Sequence, residues 1–205
     1  ILLALVLSAC AAKPTVSSNW KDKESGLAPY TRVLIVGVSQ NKDRRLSFEE
    51  SLAEDLSNDS VAAWASTRFL ASDQPLDEAT ILRVASEQGA DAIGVTRVTS
   101  IDITPVEHGG RSTVLAEQQQ TGFDHTYRRR QGPLCQYDEE EDVESTYMTT
   151  EYTTELHTDV YDAREGQLIY EMNSAVAKQE TLNEVIRVLS DAIAKRLRRD
   201  NVIQR

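Results

Sequence analysis

Two hydrophobic periods alternate along this chain. Val33-Leu34-Ile35-Val36 is an unbroken apolar run closed by Gly37, the pattern of a strand buried on both faces. Gln40 to Arg45 is polar and reads as a loop. Ser47-Phe48-Glu49-Glu50 then has the form of a capping box, in which Ser47 caps the helix start and Glu50 returns the bond. Phe48, Leu52 and Leu56 recur at i, i+4 and i+8 on one helical face, and Asn58-Asp59 ends that helix. Val61 to Phe69, with Trp64, reads as a second strand, and Ser72 to Pro75 as a loop. Asp77 begins a second helix with Ile81, Leu82, Val84 and Ala85 on its apolar side and Gly89 as its stop. Ala90 to Val98 is a third strand. The order strand, helix, strand, helix, strand predicts an α/β layer.

The second half changes period. Asp102 to Glu144 shows no sustained repeat and reads as an irregular excursion, with a turn at Gly109-Gly110 and a polar strand over Ser112 to Gln120. It holds a basic run, Arg128-Arg129-Arg130, and an acidic run, Asp138 to Asp142. From Ser145 the period is two. Met148, Thr150, Tyr152, Thr154, Leu156, Thr158 and Val160 share one face of a long strand. Asp162 to Gly166 is a turn, and Leu168, Tyr170, Met172, Ser174 and Val176 form the returning strand of an antiparallel hairpin. Thr181 and Glu184 make a second capping box. Leu182, Val185, Ile186, Leu189, Ile193 and Leu197 then draw a helical stripe that ends in Lys195, Arg196, Arg198 and Arg199, cations suited to a helix C-terminus. That helix reads as core-facing with a basic end. The pattern thus predicts an α/β fold with a C-terminal hairpin and a final amphipathic helix.

The N-terminus has a different character. Ile1 to Leu7 is apolar and followed by Ser8, Ala9 and Cys10. Seven residues fall far short of the roughly 20 that span a bilayer. A signal h-region ending in small residues accounts for them, and the sequence then begins inside the signal, without initiator Met or basic n-region. The alternative makes this run the first element of the domain, with Cys10 a buried thiol. Leu7-Ser8-Ala9-Cys10 resembles the bacterial lipobox. That resemblance implies cleavage between Ala9 and Cys10, lipid on Cys10, and, with Ala11 rather than aspartate next, an outer-membrane lipoprotein facing the periplasm. Residues 1–9 are then the signal peptide, 10–26 the lipidated N-terminus and flexible linker, and 27–205 a single periplasmic domain. Trp20 lies in that linker, where it meets a partner, the membrane interface or its own domain.

Composition narrows the remaining classes. The chain has 205 residues, 40% of them hydrophobic, enough for one ordinary domain core. A net charge of -11 argues against nucleic-acid binding, which uses basic faces. With Cys10 lipidated, Cys135 is either an inert half-buried thiol or a site of intermolecular pairing. No nucleophile elbow, zinc-protease helix or phosphate loop occurs, and no cofactor is expected. His108, His125 and His157 lack helical ligand spacing and read as surface residues rather than zinc ligands. The acidic run lacks the spaced oxygens and central Gly of a calcium loop and reads as solvated.

Three stretches together resemble a group of small Gram-negative lipoprotein domains: the strand Val33 to Val36 leading to Phe48-Glu49, the step Gly89-Ala90-Asp91-Ala92, and the hairpin carrying Asp162, Gly166, Leu168, Ile169 and Tyr170. Such domains resemble the N-terminal domain of the translocation protein TolB and the lipoprotein activators of penicillin-binding proteins. The resemblance implies a two-layer α/β sandwich, a mixed sheet packed by helices on one side, and a non-catalytic envelope domain that binds a protein or scaffolds at the membrane. The excursion carries no residue of that resemblance; its basic run, Arg128, Arg129 and Arg130, is a candidate partner contact by its charge alone. The rival expectation is an enzyme or small-ligand binder acting on envelope material. There the same arginines clamp an anionic group while His125 or Asp124 acts as base.

Overall fold

Alternation within one strand decides the layering. Strand β2 (Arg32–Val38) turns Val33 and Ile35 to one face and Leu34 and Val36 to the other, and all four are buried. The structure, a computed structural model, describes residues 13–22, 29–39, 41–70, 75–108 and 147–205. β2 lies in a six-stranded sheet of order β1-β6-β5-β4-β2-β3, pairing in parallel with β3 (Ala62–Ala65) and with β4 (Ala92–His108). From β2 the chain steps outward through helix α1 (Lys42–Leu56) to β3, then back across β2 through α2 (Glu78–Gln88) to β4. Two right-handed crossovers in opposite directions place their helices on opposite faces. Phe48, Leu52 and Leu56 of α1 accordingly pack with Val33 and Ile35, whereas Val84 and Ala85 of α2 pack with Leu34, Val36 and Ile93. The mixed sheet packed by helices is as expected; α2 alone departs from the one-sided placement, because of that reversal.

The antiparallel half follows its period of two. β5 (Tyr147–Asp162) and β6 (Leu168–Gln179) form the hairpin, and Thr154, Leu156, Thr158 and Val160 are buried on the face towards the first core. Asp162 shapes the turn by accepting from the amides of Arg164 at 2.8 Å and Glu165 at 3.1 Å, and Gly166 takes the left-handed φ of 67°. Helix α3 (Leu182–Arg199) starts at Thr181, whose hydroxyl accepts from the amide of Glu184 at 3.1 Å. Val185, Leu189, Ile193 and Leu197 are buried against the sheet. Its basic end stays within the domain: Arg196 pairs with Asp200 at 2.7 Å and Arg198 donates to the carbonyl of Asp55 at 2.8 Å.

Several expected boundaries move. Thr15–Lys21, expected within the flexible linker, is strand β1, paired antiparallel with β6 through a bulge between Ser18 and Trp20. It is an edge strand with little buried surface, so it leaves no hydrophobic period to read; its backbone pairing and the packing of Val16 hold it. Helix α1 starts not at Ser47 but at Asn41, whose side chain accepts from the amide of Arg44 at 3.0 Å, so the polar stretch Lys42 to Arg45 is helical. β3 is short and passes into a 3-10 turn at Ser66–Arg68, and β4 continues as strand to His108, into the expected excursion. The chain divides into two compact units, Ile1–Pro105 with Thr150–Arg205 and Val106–Thr149. Of the second, the described residues are the end of β4 and the start of β5.

Glu49 is a buried acidic side chain of the first unit, with none of its surface exposed. Its Oε1 accepts from the amide of Gly37 at 2.8 Å, from Arg45 Nε at 2.8 Å and from the Ser66 hydroxyl at 2.9 Å, while Oε2 accepts from the amide of Thr67 at 2.8 Å. Removing one partner of a buried ion pair typically costs about 3–5 kcal/mol. Glu49→Gln sets an NH2 against one of these donors and leaves Arg45 without a counter-charge. It is expected to lower the urea unfolding free energy by that amount, whereas Arg68→Ala, which breaks the exposed pair with Glu50 at 3.3 Å, costs under about 1 kcal/mol.

Tyr170 closes the other end of the core. Its buried hydroxyl donates to Asp200 Oδ2 at 2.7 Å, and burial, then that hydrogen bond, push the phenol up to about 12. The unfolded phenol titrates near ~10. The native state therefore holds its proton more tightly, and this contribution is complete below the unfolded value and lost as pH rises towards the folded one. Urea unfolding at pH 8 and pH 11.5 should show the advantage of wild type over Tyr170→Phe shrinking by about 2 kcal/mol.

Candidate functional site

Open α/β sheets bind ligands at the carboxyl ends of their parallel strands. Here that edge is formed by β2 and β4, where Gly37 lies beside Thr96 in register. A groove of about 100 Å³ opens there. Its floor is the sheet, through Gly37, Thr96 and Leu156. One wall is the first part of α1, through Arg44, Arg45 and Phe48; the other is the first half of α3, through Leu182, Val185 and Ile186. Val38, Val98 and Ile101 complete it and remain 47%, 44% and 40% exposed, an apolar rim where a surface is ordinarily polar.

The sequence builds each wall locally. The Asn41 cap starts α1 immediately after β2, so its first turns face the groove. Arg45 is fixed by Glu49 and also donates to the Ser66 hydroxyl at 2.8 Å, so it stands as a rigid wall. Thr181 does for α3 what Asn41 does for α1. Two hydroxyls reach the floor. Thr96 Oγ1 and Thr158 Oγ1 share a hydrogen bond of 3.0 Å. Thr154, 3% exposed, also lines the groove, and its hydroxyl has no partner in the structure. Among the described residues, the lining holds no carboxylate, histidine or cysteine. The site is thus equipped to bury apolar groups beside the hydroxyls of Ser39, Thr96 and Thr154 and the guanidinium groups of Arg44 and Arg45, the latter already paired with Glu49.

Of the described residues singled out from the sequence, neither Trp20 nor His157 lines this groove. Ala9, Cys10, Asp124, His125, Arg128, Arg129, Arg130 and Cys135 lie outside the described residues, and so does the acidic run Asp138 to Asp142. Trp20 sits in β1 and is 42% exposed. His157 is more enclosed than a surface residue, its side chain 13% exposed among Asp159, Glu171 and Asn173. Sequence reasoning missed the groove because its apolar residues read individually as core. The one signal was Val98, an apolar residue out of step with Ile93 and Val95 and so on the opposite face of the strand. The carboxylate of Asp91 accounts for the Gly89-Ala90-Asp91-Ala92 step: it accepts from the amides of Thr31 at 3.2 Å and Arg32 at 2.8 Å and fixes where β2 begins.

No family model matches the sequence, and neither does any curated protein. Solved structures with a similar fold include a dodecameric PelC from Paraburkholderia phytofirmans, 14% identical, with a TM-score of 0.48 over 92% of this chain and 99% of that one. Lipoprotein GNA1162 from Neisseria meningitidis is 12% identical, with a TM-score of 0.41 over 82% of this chain and 99% of that one. A minor lipoprotein from Acinetobacter baumannii is 12% identical, with a TM-score of 0.26 over 83% and 91%. Bacterial lipoproteins are thus among the proteins this chain resembles. None of the three reaches 15% identity or a TM-score of 0.5, so this chain's own residues carry the function proposed below.

An unpaired buried hydroxyl costs about 1–3 kcal/mol, and an isosteric methyl removes that cost. Thr154→Val is therefore expected to raise the unfolding free energy by about 1 kcal/mol, read by urea denaturation, instead of lowering it as most buried substitutions do.

Proposed function

We propose that this chain is a lipid-anchored, non-catalytic envelope protein, held at the periplasmic face of the outer membrane, whose domain binds a partner protein in the groove between α1 and α3. The observation that carries the binding role is the apolar rim of Val38, Val98 and Ile101 around a groove lined with apolar side chains. Exposed apolar side chains around a concavity are what a partner's apolar anchor buries, and such anchors dominate the energetics of interfaces. Arg44, exposed in the groove lining, favours a partner segment with a carboxylate beside that anchor. The anchor itself is supported by Leu7-Ser8-Ala9-Cys10 after the apolar run. No helix among the described residues is long and apolar enough to cross a membrane. The resemblance to the TolB N-terminal domain and to activators of penicillin-binding proteins belongs to this proposal, as domains with a protein-binding role of the same kind.

Intact mass of membrane-extracted protein tests the anchor: wild type should match cleavage before Cys10 plus lipid, and Cys10→Ala should lose both changes. Periplasmic crosslinking of the full chain tests the groove. A specific partner should be recovered with wild type and reduced at least tenfold by Val98→Asp or Ile101→Asp, side chains exposed enough to leave the fold intact. Equal recovery by all three proteins overturns the groove as the docking site.

A further inference from the structure

The sheet face opposite α1 and α3 carries an arrangement that neither the anchor nor the groove uses. In the β5–β6 ladder Asp159 pairs with Glu171 and His157 with Asn173, so these four side chains meet on one patch. His157 Nε2 lies 2.7 Å from Asp159 Oδ1 and 3.7 Å from Glu171 Oε1. On the other side of the ring, His157 Nδ1 lies 2.7 Å from Asn173 Oδ1. Arg97 Nη1 donates to Asp159 Oδ2 at 2.8 Å, so the oxygen that faces His157 is Oδ1. The His157 and Asp159 side chains are only 13% and 6% exposed, while Glu171 keeps 32% and leaves the patch open on one side.

Both ring nitrogens of His157 therefore face oxygen acceptors, and a neutral imidazole carries one N–H. With that proton on Nδ1, donated to Asn173, the Nε2 lone pair points at two carboxylates. A cation on Nε2 resolves the conflict, and orientation of a ligating histidine by a hydrogen bond at its other nitrogen is the general pattern of metal sites. We propose that His157, Asp159 and Glu171 bind a first-row divalent cation, with one imidazole and two carboxylate donors, a set suited to Zn2+. One ligand atom from each lies within 4.8 Å of the others. Tetrahedral Zn2+ with bonds of about 2.0–2.1 Å needs donors about 3.3 Å apart. The Asp159 contact must open by about 0.6 Å and the Glu171 contact close by about 0.4 Å, with the two carboxylates drawn in from a separation of up to 4.8 Å; movement of the partly exposed Glu171 side chain supplies this. The fourth position faces solvent on the Glu171 side.

The test uses the full chain without an affinity tag, stripped of metal, with Zn2+ alone as the probe. Calorimetry is expected to show one equivalent bound through this patch. Glu171→Gln, at a partly exposed position, should weaken it at least tenfold with unchanged circular dichroism, and His157→Ala should abolish it. Asn173→Ala, which removes only the orienting bond, should weaken it about tenfold. Long-range 1H–15N spectra should place the His157 proton on Nδ1 with Zn2+ on Nε2. Two results overturn the proposal: no saturable Zn2+ binding by wild type, with His157 doubly protonated between Asp159 and Asn173, or binding that Glu171→Gln and His157→Ala leave unchanged.

Discussion

The carboxylate of Glu49 is the constraint on which the first unit depends. A buried charge is tolerated only when its lone pairs are met, and here the four donors come from three separate pieces of chain. Gly37 brings the end of β2, Arg45 the first turns of α1, and Ser66 with Thr67 the turn after β3. A single side chain thus fixes how far β2 runs before the chain turns, how α1 leaves the sheet, and where β3 stops. The groove inherits this precision, since Gly37 and Arg45 are shared between the carboxylate and the groove lining.

The reversal of direction at β2 gives the sheet its asymmetry. It places α1 and α2 on opposite faces, so the parallel strands are covered on both sides. α3 then packs beside α1 over the antiparallel half. On the face opposite α3, β5 and β6 present His157, Asp159, Glu171 and Asn173 in place of an apolar layer. The apolar groove and the polar patch are therefore consequences of one topology, the first where two helix starts converge on the strand ends, the second where no helix of that face demands apolar residues.

Elements that bury a whole face were legible in the sequence. The β2 run, the α3 stripe, the hairpin and the Gly89 stop, with its left-handed φ of 64°, all show their periods directly. Boundaries fixed by single polar bonds were not. Asn41 rather than Ser47 caps α1, accepting from the amide of Arg44, and the added turn is held by Arg45, which pairs with Glu49 at i+4 and reaches Ser66 after β3, a bond that local pattern does not encode. β1 escaped because an edge strand with one packed side chain has no period. The patch around His157 escaped for a related reason: its members alternate within two strands at ordinary spacing, and only the register of β5 against β6 brings them together.

Pairing of β1 with β6 also sets the scale of the attachment. A lipid on Cys10 is separated from the first paired residue, Thr15, by four residues, and the five steps between them reach at most about 18 Å. Were Cys10 lipidated as proposed, those residues would make a short stalk. Such a domain samples a thin shell above the bilayer and not the depth of the compartment. The bulge at Ser18 to Trp20 and the hold of Arg196 on Val16 at 3.2 Å keep that stalk's upper end in one orientation. Which surfaces face along the membrane and which face away from it would then be set by the sheet edge, and a partner would have to come within that shell to be met at all.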